Sequence, residues 1–339
     1  MLQYDKDAVL SSRIRLARNI KDIPFPTIMT EEQGRKVIDL VRKAILGSNT
    51  ILSTQFVEYD MKKLTPIDRQ SLVEKHLISP DLSQNTKSGY ALIKDDNTVS
   101  IMVNEEDHLR IQCILEGLRL NESWDTADKI DDLIEETIDY AYDEKIGYLT
   151  SCPTNVGTGI RASVMVHLPA LTITGQISNI LNSVSKIGMA VRGIYGEGTQ
   201  ALGDIYQISN QVTLGQSERE IIENIEGVAR QIISSERKAR EDLYKKQRIQ
   251  IEDRVGRAFG ILSHAKVMST KEYMTLMSDV RLGAILGILD VDINKIDVLT
   301  THIQPANLQK IYGIQLDPYE RDVKRAEYVV SQINKKDNL

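Results

Sequence analysis

Cysteine is scarce in this sequence: Cys113 and Cys152 are the only two among 339 residues. Two cysteines give no disulfide framework and are typical of a protein kept in a reducing compartment. No apolar run approaches the roughly 18 residues that a membrane-spanning helix needs. Residues 1–10 contain no basic segment followed by an apolar stretch, so we expect no signal peptide. These absences predict a cytoplasmic protein that does not contact a membrane.

Several common catalytic and nucleotide-binding motifs are also missing. The sequence has no GxxxxGK[ST] phosphate loop, no GxGxxG, no HRD or DFG and no HExxH. If the protein binds a nucleotide, side chains must therefore replace the backbone amides of a glycine-rich loop, and arginines are the obvious substitute. The five histidines show no metal-ligand spacing. We therefore predict no metal site built from protein side chains.

The net charge of −6 is the wrong sign for a general nucleic-acid surface, which is usually basic. The negative net charge of the protein would instead attract basic partners over long range. A hydrophobic content of 41% with 27% charged residues is typical of a soluble globular protein. The length allows one large domain or two ordinary ones.

Strand-like and helix-like segments alternate in the first part of the chain. Apolar and polar patterning predicts strands over 9–17, 90–93, 99–103, 146–149, 162–168, 191–194 and 205–209. Thr65-Pro66-Ile67-Asp68 supplies a cap, a proline at N1 and an acid at N3, which predicts a helix to about His76. Helical spacing over 122–144 predicts an amphipathic helix. Strands joined by short turns predict an α+β fold with an antiparallel sheet flanked by helices.

The sequence becomes almost wholly helical after Ser217. Ser217 and Glu220 form a capping-box pattern, and Asp317-Pro318 opens a last helix in the same way. A boundary near residue 240 divides the chain into a catalytic domain, 1–240, and a C-terminal helical domain, 241–339.

Arginines recur in four short segments, 11–15, 104–110, 151–161 and 192–197. A single arginine is usually a surface charge, but a guanidinium can also bind two phosphate oxygens at once. Arg13 and Arg15 lie two apart and would share one face of a strand. Four such segments together favour a site for a polyphosphate.

Glu105, Glu106 and Asp107 are consecutive at a predicted strand end, where they repel one another unless a cation lies among them. Mg²⁺ and a guanidinium both fit that role, and a solvated acidic turn is the alternative. Phosphorylation of a guanidinium needs a carboxylate to orient it and to accept its proton. Cys152 could be a nucleophile, a structural residue or a thiolate that tunes the site; no Cys/His/Asn hydrolase pattern surrounds it.

Taken together, these segments resemble the phosphagen (guanidino) kinases. Residues 152–158 (CPTNVGT) are similar to the signature of that superfamily, and 104–110 (NEEDHLR) to its acidic motif. Segments 11–15, 161–165 and 192–197 are most similar to the bacterial protein arginine kinases. The resemblance covers nearly the whole chain and implies a phosphagen-kinase-like catalytic domain.

The resemblance also implies roles for individual residues. Glu106 would orient and deprotonate the guanidinium, and Glu197 would be a second catalytic carboxylate. Mg²⁺ would bridge the ATP phosphates. The nucleotide would be bound by Ser11, Ser12, Arg13, Ile14, Arg15, His76, Arg110, Arg161, Ala162, Ser163, Val164, Met165, Arg192, Gly193, Ile194, Tyr195, Gly196 and Glu197.

The last helix contains a further pattern of the protein arginine kinases, RDxxRA. It implies an allosteric phosphoarginine pocket formed by Arg321, Asp322, Arg325 and Ala326. Arg321 and Arg325 would share a helix face, and an exposed charged helix is the alternative. The family further implies a homodimer that assembles through the C-terminal helices.

The implied activity is transfer of the ATP γ-phosphate to arginines exposed on proteins. This would mark them for an ATP-dependent unfoldase–protease or inactivate a stress-response repressor, with an activator protein as a further partner. Because the SxRxR motif begins at Ser11, we expect no helical lid like that of the small-molecule kinases. A kinase of free arginine and a non-catalytic adaptor that binds phosphoarginine are the two alternatives.

Overall fold

The computed structural model describes residues 3–48, 50–193 and 201–335. Their strands are β1 (Val9–Arg18), β2 (Phe56–Asp60), β3 (Tyr90–Lys94), β4 (Val99–Val103), β5 (Leu109–Glu116), β6 (Tyr142–Asp143), β7 (Gly147–Tyr148), β8 (Ile160–His167), β9 (Met189–Gly193) and β10 (Ile205–Asn210). Their α-helices are α1 (Glu31–Leu46), α2 (Pro66–Glu74), α3 (Pro80–Gln84), α4 (Leu120–Glu135), α5 (Pro169–Ile173), α6 (Ile177–Lys186), α7 (Glu218–Lys246), α8 (Arg248–His264), α9 (Thr270–Ile285), α10 (Ile293–His302), α11 (Pro305–Tyr312) and α12 (Pro318–Ile333).

Eight of the strands form one antiparallel sheet in the order β2-β3-β4-β5-β1-β8-β10-β9. β1 lies at the centre, hydrogen-bonded to β5 on one side and to β8 on the other. β6 and β7 form a separate two-stranded ribbon. The antiparallel sheet with flanking helices confirms the predicted α+β fold.

The two faces of the sheet differ because side chains alternate along each strand. Ile14 and Leu16 of β1 belong to the main hydrophobic core, together with residues of α1, α4 and α7. Arg13 and Arg15 point to the opposite face, called here the arginine face.

In the described part of the chain, helices cover the arginine face only at its two sides. α2 and α3 pack over β3 and β4 around Met102 and Leu82. α9 and α10 pack near β10 around Ile205 and Met274. The middle of the face, formed by β5, β1 and β8, lies between these two coverings and is where the arginines lie.

The capping patterns read from the sequence are confirmed. Thr65 accepts a hydrogen bond from Asp68 N at 3.2 Å, and Ser217 accepts one from Glu220 N at 3.3 Å. Asp317 caps α12, which has Pro318 as its first residue. These interactions span three residues, so local sequence suffices to predict them.

The predicted helix over 122–144 is wrong at its C-terminal end. α4 stops at Glu135, nine residues early. Residues 136–138 form a turn and a bend, after which Tyr140 is bridged to Ile20. Ile138 and Tyr140 are both buried in the main core, so extended pairing replaces the helix while burying the same apolar groups. The strand predicted over 146–149 shortens to the two residues of β7.

α7 is one continuous helix of 29 residues that contains residue 240. Because the predicted boundary falls inside this helix, the helix does not mark it, and the division into domains 1–240 and 241–339 stays a prediction. From Ser217 onward the described part of the chain is helical, as expected. Among the described residues no helix is both long and apolar enough to span a membrane.

Candidate active site

The register of the central strands brings distant arginines together. Arg15 on β1 lies directly opposite Arg161 on β8, although 145 positions separate them in the chain. Arg110 on β5 lies opposite Ala17, one place further along the same face of β1. The arginine face therefore carries a row of guanidinium groups at the end of the sheet where β5 and β8 begin.

Arg15 has the least favourable electrostatic surroundings in this row. Its Nε is buried and has no hydrogen-bond partner among the described residues, and the same holds for Nε of Arg161. Burial lowers the pKa of Arg15 well below its usual value, and repulsion from the neighbouring guanidinium groups lowers it further. Burial and the charge of Arg192 lower the pKa of Arg161 in the same way. A bound polyanion would satisfy both donors and remove this repulsion.

Arg13 lies one step along β1 from Arg15 and is held by polar neighbours. Its Nη2 donates to Oε1 of Gln207 at 2.7 Å, and its Nε donates to Ser163 Oγ at 3.4 Å. Arg192 lies opposite Gln207 on β9 and is exposed. Gln207 was not predicted as a site residue. The alternation of side chains along β10, which places Gln207 on the arginine face, was the sequence signal that could have identified it.

His76 follows α2 at a φ of +59° and adjoins Arg13. Burial and the nearby Arg13 charge lower the pKa of His76 to about 4, so its imidazole is neutral at pH 7. Its carbonyl oxygen accepts a hydrogen bond from Gln112 Nε2 at 2.8 Å. This bond ties the end of α2 to β5 beside the arginines.

Glu105 and Glu106 lie between β4 and β5 and both contact Arg110. Arg110 Nη1 donates to Glu105 at 2.8 Å, and Nη2 donates to Oε2 of Glu106 at 3.0 Å. The Glu105 side chain is 3% exposed, whereas that of Glu106 is 41% exposed. Burial raises the pKa of Glu105. Glu106 is therefore the carboxylate of this pair that an incoming reactant can reach.

Asp107 points away from these two acids and has a different role. Its Oδ1 accepts from Asn19 Nδ2 and from the Ser151 amide, each at 2.7 Å. The chain direction reverses because Asn104 adopts a φ of +59° and donates to two backbone carbonyls. The three consecutive acids thus do not form one cluster, which explains how they coexist. A solvated acidic turn does not describe them, since Glu105 and Asp107 are buried.

His108 is a buried structural residue. Its Nδ1 accepts from the Ile20 amide at 3.0 Å, so Nε2 carries the proton and donates to the Pro24 carbonyl at 2.9 Å. Asn19, which bridges Asp107 and the His108 amide, was not predicted from the sequence.

Four predicted nucleotide ligands have side chains on the other face of the sheet. Ile14, Ala162 and Val164 are fully buried in the main core. Ser12 is buried as well and donates to the Gly117 carbonyl at 2.8 Å. Their side chains cannot touch a ligand on the arginine face. Ser11, Ser163 and Met165 do lie on that face.

A cavity of about 550 Å³ opens beside Arg13, between the sheet and helices α9 and α10. Its walls are mainly apolar. A smaller pocket that includes Arg13 and Gln207 shares Ser11, His76, Ile114 and Met165 with it. The cavity therefore adjoins the pocket at Arg13, the member of the arginine face that lies nearest to it.

Cys152 lies on the loop before β8, and its Sγ is 3.0 Å from Oγ1 of Thr154. Within residues 3–48, 50–193 and 201–335 no three histidine, cysteine or acidic side chains are grouped in a way that could hold a metal ion. Gly193 ends β9. The predicted ligands Ile194, Tyr195, Gly196 and Glu197 lie outside the described residues.

The RDxxRA segment lies on α12. Arg325 is buried; its Nε donates to the Ile303 carbonyl and its Nη1 to the Met268 carbonyl, each at 2.9 Å, and it pairs with Asp322. Ala326 packs in the hydrophobic cluster that also contains Ile205 and Met274. Arg321 is only partly buried and lies in the electrostatic field of Glu74. Of the two arginines, Arg321 is thus the more available to a ligand.

Comparisons with known proteins agree with this geometry. The family model described as ATP:guanido phosphotransferase, C-terminal catalytic domain, matches residues 36–239. The model described as Protein-arginine kinase McsB C-terminal domain matches residues 248–339. The protein-arginine kinase of Caldanaerobacter subterraneus subsp. tengcongensis is 90% identical over 99% of this chain and 100% of that protein. The one from Pelotomaculum thermopropionicum is 51% identical over 95% of this chain and 91% of its own length.

Solved structures show the same fold. A lombricine kinase superposes with a TM-score of 0.61 at 27% identity, covering 69% of this chain and 68% of that one. A duplicated taurocyamine kinase from Schistosoma mansoni, with bound transition-state-analogue components, gives 0.61 at 24% identity and covers 68% of this chain and 33% of its own. The chain therefore belongs to the ATP:guanido phosphotransferase family, and within it to the protein-arginine kinases.

Proposed function

We propose that this chain transfers the γ-phosphate of ATP to arginine side chains of proteins. The row of guanidinium groups on the arginine face binds the phosphates, and Glu106 activates the acceptor. The observation that supports this most strongly is Arg15. Its buried Nε has no hydrogen-bond partner among the described residues, and its charge lies among other guanidinium groups, one of which, Arg110, contacts the exposed carboxylate of Glu106. Such an arrangement is unfavourable in the free protein and becomes favourable when a polyphosphate binds.

The position of the cavity beside the pocket at Arg13 suggests which way the nucleotide lies. The mainly apolar cavity fits a nucleoside, and Arg13 and His76 lie at its boundary with the arginines. The phosphates then extend past Arg13 to Arg15, Arg161 and Arg110, with Arg192 at the side. Mg²⁺, which neutralises phosphate charge when bound, would take its ligands mainly from the nucleotide, since the described residues offer no ligand cluster.

Glu106 acts on the acceptor at the far end of this path. Oε2 of Glu106 accepts from Arg110, while Oε1 has no partner among the described residues. Oε1 can accept an N–H of the acceptor guanidinium and then its proton. The guanidinium nitrogen bonds to the γ-phosphorus, the bond from that phosphorus to the β–γ bridging oxygen breaks, and ADP leaves. Such general-base catalysis contributes about 10²–10⁴ in rate. Glu197 is proposed as the second carboxylate that grips the acceptor.

The acceptors are proteins with exposed arginines, and the acidic chain would attract them over long range. Phosphorylation would mark them for an ATP-dependent unfoldase–protease or inactivate a stress-response repressor, in the cytoplasm and with the help of an activator protein. The sequence resemblance supports these roles.

The C-terminal helices, residues 241–339, are proposed to mediate homodimerisation and to bind phosphoarginine at Arg321, Asp322, Arg325 and Ala326. Arg325 has two nitrogens engaged with the chain itself, so Arg321 would supply most of the phosphate contact. Arg321→Ala should abolish activation by added phosphoarginine and leave basal activity intact. Undiminished activation in this variant would contradict the pocket assignment.

The experiment that tests the proposed function is incubation with Mg-ATP of a basic acceptor protein and, separately, of free arginine. Both products are analysed without exposure to acid, which cleaves N–P bonds. Phosphate on acceptor arginines supports the proposal. Phosphate on free arginine alone identifies a small-molecule kinase, and transfer to neither favours a phosphoarginine-binding adaptor.

A further inference from the structure

A second depression, distinct from the arginine face, lies at the same end of the sheet. It has a volume of about 500 Å³. Its large apolar side chains are Tyr142, Ile146, Tyr148 and Leu214, and we call it the Tyr142 groove. Tyr142 is 58% exposed, Leu214 53% and Ile146 43%. Grouped exposure of apolar side chains of this size is typical of a binding surface.

One loop separates the Tyr142 groove from the candidate active site. The groove side of this loop is tied to β7, where the Tyr148 amide donates to the Gly157 carbonyl at 2.8 Å. The other end of the same loop contacts the acidic segment, because the Ser151 amide donates to Asp107. Asp107 is the immediate neighbour of Glu106. A peptide bound in the groove can therefore continue around this loop to the catalytic carboxylate.

Two glycines allow the loop to pack closely against the groove. A Cβ on Gly147 would lie 2.5 Å from the Gly157 carbonyl oxygen, and a Cβ on Gly157 would lie 2.6 Å from the Thr213 carbonyl oxygen. Thr213 Oγ1 also donates to the Val156 carbonyl at 2.7 Å. The loop is therefore closely packed on the side that faces the groove.

The rim of the groove is acidic. Glu135, Glu144 and Glu218 line it, and none of them forms an ion pair within the described residues. Among the described residues that line the groove, only Lys145 is basic. Partial burial and the nearby Asp131 carboxylate raise the pKa of Glu135. The rim thus has unneutralised negative charge, which a cation would stabilise.

The buried side of the same aromatic cluster already holds a guanidinium. Arg18 lies 3.6 Å from the centre of the Tyr148 ring, and its Nε donates to Asp131 at 2.9 Å. Tyr142 contacts the same ring edge-on, with centroids 5.2 Å apart. On the buried side of the cluster, a tyrosine ring and a carboxylate together bind the Arg18 guanidinium. On its exposed side, the groove offers a second tyrosine ring, that of Tyr142, beside glutamate carboxylates, so it could bind a cation in the same way.

We propose that the Tyr142 groove binds a second basic side chain of the acceptor protein, an arginine or lysine a few residues from the arginine that is phosphorylated. The cation would lie against Tyr142 between Glu144 and Glu218, and an apolar neighbour would contact Ile146 and Leu214. The proposal rests on the proposed function, because only a protein acceptor has such a flanking residue. The groove would make the enzyme prefer arginines in basic segments.

Acceptor peptides with one target arginine and a second arginine at varied distance test this directly. The distances cover about ten residues on each side, since an extended chain spans about 3.3 Å per residue. In matched peptides citrulline, which is neutral and similar in shape, replaces the second arginine. For the unmodified enzyme the citrulline peptide should have a KM about fivefold higher at a limited set of distances, with kcat unchanged, as expected for the loss of two exposed ion pairs.

The double variant Glu144→Gln/Glu218→Gln should show the raised KM with the arginine peptide and no further increase with citrulline. This non-additivity identifies direct contact. Glu32→Gln/Glu272→Gln removes the same charge from two exposed glutamates elsewhere and should retain the preference for the second arginine. Tyr142→Ala should raise KM about threefold, whereas Tyr142→Phe, which keeps the ring face, should not.

Additive effects of the enzyme and peptide changes would overturn the proposal, as would a loss of kcat or of ATP affinity in the groove variants. Weakened self-association of Glu144→Gln/Glu218→Gln in sedimentation would also overturn it, because a second copy of the chain would then be the occupant. If the unmodified enzyme phosphorylates none of the arginine peptides, the proposed function itself fails, and that outcome is separate from failure of the groove.

Discussion

Replacing Arg15 with methionine should make the free protein more stable and should reduce the stabilisation that a bound nucleotide provides. Arg15 places a buried, unpartnered Nε and a positive charge among Arg13, Arg110 and Arg161. An unsatisfied buried donor costs about 1–3 kcal/mol. Methionine fills similar space without charge, so the free energy of unfolding should rise by about that amount. For a chain of 339 residues the melting temperature should increase by about 1–4 °C.

A bound nucleotide should stabilise the variant less than it stabilises the unmodified protein. ADP at about 100 times its Kd stabilises a protein by about 2.7 kcal/mol. Loss of one charge-assisted hydrogen bond to phosphate weakens binding by about 1.5–3 kcal/mol. At the same ADP concentration the stabilisation of Arg15→Met should then fall to about 0.3–1.4 kcal/mol. Thermal unfolding with and without ADP measures both quantities in one assay.

Arg18→Met is the control, because Arg18 is also an arginine of β1 but is fully buried and paired with Asp131 and two backbone carbonyls. Breaking such a pair should destabilise the protein by about 3–5 kcal/mol. A free Arg15→Met protein that melts below the unmodified one, with its ADP response intact, would refute the view that Arg15 is a strained phosphate ligand.

Three further outcomes are expected. Gly157→Ala would place a Cβ 2.6 Å from the Thr213 carbonyl oxygen at a φ of +109°, so it should lower the urea midpoint. Its control is Gly227→Ala, in a helix with open space around it, which should raise the free energy of unfolding by about 0.5–1 kcal/mol. Because the pKa of His76 is lowered from 6.5 to about 4, the unfolded chain binds a proton there that the folded chain does not. Stability should therefore fall as pH drops through that window, and His76→Gln should flatten the fall between neutral pH and about pH 5 in urea titrations. Glu106→Gln should lower kcat by about 10²–10⁴ while calorimetry shows unchanged ADP affinity; a loss of ADP binding would instead make Glu106 part of the nucleotide site.

The features that could be predicted from the sequence depend on contacts between near neighbours. The caps at Thr65, Ser217 and Asp317 each span three residues. The polar turn residues 94–98 (KDDNT) predict the hairpin of β3 and β4. The alternation of side chains along a strand places Arg13 and Arg15 on one face. For the same reason the sequence could place Glu105 and Glu106 at a strand end beside Arg110.

The features that escaped prediction depend on long-range pairing. Nothing local indicates that Arg15 pairs with Arg161 or that Gln207 reaches Arg13. The end of α4 at Glu135 follows from the bridge between Tyr140 and Ile20, more than a hundred positions away. Asp107 looks like a third site carboxylate until its contacts with Asn19 and Ser151 are known. Ala162 and Val164 were assigned with their whole motif, although alternation puts them on the core face.

The most direct test of the central claim is mass spectrometry of a basic acceptor protein after incubation with Mg-ATP, comparing the unmodified enzyme with Glu106→Gln under conditions that preserve N–P bonds. The account predicts phosphate on acceptor arginines with the unmodified enzyme and almost none with the variant. Equal phosphorylation by both proteins would contradict it.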